Sequence, residues 1–112
     1  MTKIRESRYQ VATGEIAQIR INPMGISHMV AVVHNSTVLQ PDANRVYEFQ
    51  IRRSVGKIEF VVITCTFLPS DPPDSKYEIF VQDRNGQSWA DCVIKKTDHP
   101  MTWEAGLRFI VA

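Results

Sequence analysis

The chain has 112 residues, 44% of them hydrophobic and 22% charged, with a formal net charge of +1. This is ordinary globular material, long enough to bury a core without metal or disulfide staples. The near-neutral charge gives no electrostatic case for nucleic acid, no apolar run approaches the ~20 residues of a membrane span, and the charged start MTKIRESRYQ lacks a signal-peptide core, which points to a cytoplasmic protein.

Residues 1 to 14 are polar, with Tyr9 and Val11 alternating, and read as a short edge strand or a loose arm closed by Gly14. Glu15 to Ile21 alternates as a strand with Ala17, Ile19 and Ile21 inward. Asn22-Pro23-Met24-Gly25 is a turn signal. His28 to His34 is a second strand with apolar residues on both faces. Asn35 and Ser36 punctuate, Thr37 to Leu39 pairs briefly, and the residues Gln40 to Asn44 turn the chain again.

Val46 to Arg52 places Tyr47, Phe49 and Ile51 on one face. The next stretch, Lys57 to Leu68, is the longest β-forming run, free of Gly and Pro and rich in β-branched and aromatic residues. It reads as the central strand, with Val61, Ile63, Cys65 and Phe67 on one side and Ile58, Phe60 and Val62 on the other. A loop from Arg53 to Gly56 would close these two strands into a hairpin, pairing Ile51 with Ile58, Phe49 with Phe60 and Tyr47 with Val62.

Pro69 to Ser75 (PSDPPDS) is a rigid polar crossover from one sheet to the other. Lys76 to Asp83 follows as a strand with Tyr77, Ile79 and Val81 inward. Asn85-Gly86 is a strong hairpin tip, since both residues tolerate positive φ. It pairs Val81 with Ala90, Ile79 with Cys92 and Tyr77 with Ile94, and sets Phe80 diagonal to Trp89 on the outer face. Asp98-His99-Pro100 opens a single helical turn near 99–105, ended by Gly106. Leu107 to Val111 is the closing strand.

The expected fold is all-β: a single domain over residues 1–112, a two-sheet antiparallel β-sandwich of six to seven strands, with a small barrel as the alternative. It resembles immunoglobulin-like sandwiches in strand count. The disulfide pattern of that fold is absent, because Trp89 precedes Cys92 by three residues on one strand. Cys65 and Cys92 are therefore expected as reduced, buried thiols.

Motifs for chemistry are missing. There is no GxGxxG, GxxxxGK[ST] or GxSxG. His28 and His34 share a strand face but stand about 20 Å apart at ~3.3 Å per residue, too far for one zinc ion. Cys65 lies in the most apolar stretch, where burial raises a thiol pKa and quiets it. No cofactor, metal or enzymatic activity is expected.

What remains is a binding face. Phe80, Trp89 and Asp91 on the hairpin, with Trp103 in the turn before the last strand, could anchor a protein partner, including a second copy of this chain. In the alternative, Trp89 or Trp103 stacks on a sugar while Asp91, Asn85 and Gln82 hydrogen-bond it, as in a carbohydrate-binding module. Against both stands the possibility that Trp103 or the N-terminal arm covers the Phe80–Trp89 face.

Overall fold

The computed structural model describes residues 2–24, 30–82, 88–97 and 102–112, without the side chains of 2–6 and 88–92. The described chain forms nine strands: β1 (Thr2–Val11), β2 (Ile16–Met24), β3 (Val30–His34), β4 (Thr37–Val38), β5 (Val46–Gln50), β6 (Ile58–Thr66), β7 (Lys76–Gln82), β8 (Ser88–Lys95) and β9 (Thr102–Val111). They build two sheets, ordered β1-β9-β6-β3-β4 and β5-β2-β7-β8, packed as an open sandwich and not closed into a barrel.

The central strand is where the composition of residues 57–68 puts it, with β6 between β9 and β3. Its burial alternates strictly. Glu59, Val61, Ile63, Cys65 and Phe67 are buried inward, while Ile58, Phe60, Val62, Thr64 and Thr66 face out. Both sheets turn such a face to the core. Ile19 and Ile21 of β2, Tyr47 and Phe49 of β5, Tyr77, Ile79 and Val81 of β7, and Trp103, Leu107 and Phe109 of β9 meet there. The PSDPPDS segment does carry the chain between sheets, from β6 to β7.

The strands 46–52 and 57–63 do not form the expected hairpin. β5 pairs with β2 at the edge of the four-stranded sheet, Phe49 opposite Ala17 and Tyr47 opposite Ile19, while β6 pairs with β3 and β9. The loop between them is an arch from sheet to sheet. Tyr47 and Phe49 face the core as expected, but against the Val61 side of β6.

Three further elements differ from the sequence reading. β2 continues through the expected turn, with Asn22, Pro23 and Met24 paired to Glu78, Tyr77 and Lys76. Residues 102–105 are strand, so the helical turn near 99–105 is not formed over its described part; residues 98–101 lie outside the description. β1 is a ten-residue strand that runs parallel to β9, in a sandwich otherwise paired antiparallel.

β3 and β4 join through Asn35 and Ser36, both at positive φ (44° and 71°) between the paired residues His34 and Thr37. This is the type I′ geometry, in which Gly suits the second position better than Ser. Ser36→Gly is expected to stabilise the fold by up to about 1 kcal/mol, read from the urea midpoint at unchanged m-value.

Candidate functional site

The most connected polar group in the core is Glu59. Its side chain is 1% exposed, at the inward position of β6 nearest the arch. Oε1 meets Nε2 of His34 at 2.5 Å and accepts from Nδ2 of Asn35 at 3.1 Å. Oε2 accepts the backbone N–H groups of Arg52 at 2.5 Å and Arg53 at 3.1 Å. Asn35 Oδ1 in turn accepts the N–H of Phe60 at 2.9 Å, and the His34 ring stacks on Phe49 with centroids 4.0 Å apart.

Burial works against ionisation of Glu59. The Arg53 N–H, His34 and the Arg52 N–H outweigh it together and hold the carboxyl below its ordinary range. Both carboxylate oxygens are engaged by these donors, so the cluster fastens the arch to the β3–β4 turn. The signal was present in the sequence. Alternation from Val61 and Ile63 puts Glu59 on the inner face.

The hairpin residues divide. Tyr77 pairs with Ile94 and Ile79 with Cys92, as the Asn85-Gly86 tip implies, although the tip itself lies outside the described residues. The register then shifts between Ile79 and Phe80, so Asp91 is the extra residue of a bulge and Val81 pairs with Trp89 instead of Ala90. Trp89 thus stands at the register position of a core-facing residue, and Phe80 pairs with Ala90. The side chains of Trp89, Asp91 and Cys92 lie outside the description.

Phe80 is half-buried, with the Arg20 guanidinium 4.9 Å from its ring centroid. Trp103 is wholly buried on β9, opposite Cys65, not in a surface turn, so it offers no face to a ligand. Cys65 is wholly buried on the inner face of β6. Of the histidines, His28 and His99 lie outside the description and His34 is committed to Glu59. Among the described residues no three metal-ligating side chains converge.

A further apolar surface lies on the outer face of the five-stranded sheet. Ile58 (41% exposed) and Val38 (61%) are its most open members. Half-buried Phe60, Val62, Val33 and Ile110 adjoin them. Val62 pairs with both Val33 and Gly106, and Val33 with Val38, so the patch runs across β9, β6, β3 and β4. On β9 the outward positions are Thr102, Glu104, Gly106, Arg108 and Ile110, and Arg108 lies over the Phe60 ring at 5.6 Å.

No protein family matches the chain, and neither a curated protein nor a solved structure does.

Proposed function

We propose that this protein is a non-enzymatic assembly module that pairs with a second copy through the outer face of the five-stranded sheet. The observation that carries the reading is the self-complementary pattern of β9. Glu104 and Arg108 flank Gly106 symmetrically on the outward face, about 13 Å apart at ~3.3 Å per residue.

A two-fold axis lying between two such sheets and crossing β9 at Gly106 sets Glu104 over Arg108 of the second copy, and Arg108 over Glu104. The same operation lays Val62 over its own counterpart, with Gly106 letting the sheets approach. Apolar centre, charged flanks and an isologous two-fold contact are what a homodimer interface needs. Catalytic groups give no competing reading, because the polar cluster around Glu59 is taken up in holding the arch.

Sedimentation over a range of concentrations tests this. The mass should rise from the 12.8 kDa monomer toward twice that value. Arg108→Glu should weaken association by about tenfold or more, since it sets like charges opposite each other twice in the dimer. Adding Glu104→Arg to Arg108→Glu should restore it. A chain that stays monomeric at every concentration, or a double variant no better than the single, would refute the assembly.

A further inference from the structure

On the outer face of the other sheet, Lys76 of β7 and Lys95 of β8 are direct cross-strand partners. Like charges at paired positions of an antiparallel ladder destabilise it. Among the described residues neither lysine forms an ion pair with a carboxylate. Both line a groove of about 540 Å³ with Met24, Pro73, Asp74 and Thr97. Met24 is 44% exposed there.

The wall of this groove is fixed. Asp71 Oδ2 accepts the Leu68 N–H at 2.7 Å, and the Lys96 N–H reaches the Ser75 carbonyl at 2.9 Å. Lys96 Nζ donates to the carbonyls of Leu68 (2.9 Å), Pro69 (3.3 Å) and Asp71 (2.5 Å). The crossover is thereby tied to the end of β8, beside the paired lysines. A concavity whose neighbouring crossover is already tied down, with two cations outnumbering the one carboxylate of Asp74, loses less in ordering when a ligand enters.

We infer that the groove binds a small sugar phosphate, the phosphate between Lys76 and Lys95 and the sugar against Met24 and Pro73. Two ammonium groups match a phosphate monoester, which carries about −1.5 to −2 charge at neutral pH. Asp74 would repel a bare anion, but it serves as an acceptor for sugar hydroxyls, and Thr97 adds a hydroxyl partner. The volume falls in the range of small-molecule sites, roughly 300–1,000 Å³. This groove and the proposed dimer face lie on opposite sheets, so either can fail without the other.

The test titrates glucose 6-phosphate, glucose and inorganic phosphate into labelled protein and follows the backbone amides of Met24, Lys76, Lys95 and Thr97. Saturable shifts are expected with glucose 6-phosphate, weaker ones with phosphate and none with glucose. Lys95→Glu should cut the affinity by about tenfold or more. It should also raise Tm by about 1–5 °C, because it turns a like-charge pair into an opposite-charge one. Loss of binding with a higher Tm excludes unfolding as its cause. No saturable shift, undiminished binding in both Lys95→Glu and Lys76→Gln, or phosphate binding as tightly as the sugar phosphate would overturn the inference.

Discussion

Glu59→Ala is expected to cost about 3–5 kcal/mol of folding stability, the range found when one partner of a buried charged cluster is removed. Four donors converge on the carboxylate: Nε2 of His34, Nδ2 of Asn35 and the N–H groups of Arg52 and Arg53. Alanine would leave all of them without their acceptor at a site where the Glu59 side chain is 1% exposed. Glu59→Gln keeps the volume but places an amide NH₂ among donors, so it too should destabilise, by about 1–3 kcal/mol.

The pH dependence separates charge from shape. The folded-state pKa of Glu59 lies below its ordinary value of 4.5. Its contribution is therefore complete above the unfolded-state pKa and disappears as pH falls through the depressed folded value. Urea unfolding of the wild type should weaken in the window below about pH 4.5. In Glu59→Gln that contribution to the acid loss should be missing. Equal acid sensitivity in both proteins would show that the carboxylate charge is not what holds the arch.

The same residue explains why the sheet assignment of β5 was not legible. Tyr47, Phe49 and Ile51 alternate, and an alternating strand fits beside β6 in one sheet or facing β6 from the other. A hairpin loop and an arch of this length look alike in sequence. Glu59 decides between them, because its carboxylate takes the Arg52 and Arg53 N–H groups that a hairpin would have committed elsewhere. What alternation could show, it showed: the inward set of β7, its pairing with Cys92 and Ile94, and the inward Val61, Ile63, Cys65 and Phe67 of β6.

The register of the 76–95 hairpin was only partly legible for a comparable reason. A bulge at Asp91 adds one residue and leaves no mark in the hydrophobic pattern of residues 88–94, yet it moves Trp89 from the register of Phe80 to that of Val81. In the hairpin that the sequence favours, Ile58, Phe60 and Val62 pair with β5, which leaves no apolar outer face on the five-stranded sheet to be seen. Once β5 joins the other sheet, those side chains lie on the outer face of the five-stranded sheet, with Arg108 over the Phe60 ring.

Trp103→Ala is expected to cost about 3–5 kcal/mol, as for other wholly buried large aromatics, whereas Trp103→Phe should cost less than about 1.5 kcal/mol. In the sequence, Pro100 and Gly106 frame Trp103 as part of a turn. In the fold it is 0% exposed, on the inner face of β9 with Ala105, Leu107, Phe109 and Val111. Its ring meets Tyr77 edge-on at 6.1 Å, and Tyr77 is fixed by its hydroxyl donating to the Thr66 carbonyl at 2.8 Å. Removing the ring opens a cavity between the sheets that these anchored neighbours cannot collapse to fill. The indole N–H, however, is buried with no acceptor among the described residues. A desolvated donor without a partner costs about 1–3 kcal/mol. Phenylalanine deletes that penalty together with part of the ring, so the two changes oppose each other. Denaturant midpoints followed by far-UV circular dichroism give both values. If Trp103→Phe proves as damaging as Trp103→Ala, the indole N–H must have found an acceptor, and the ring is held by a hydrogen bond as well as by packing.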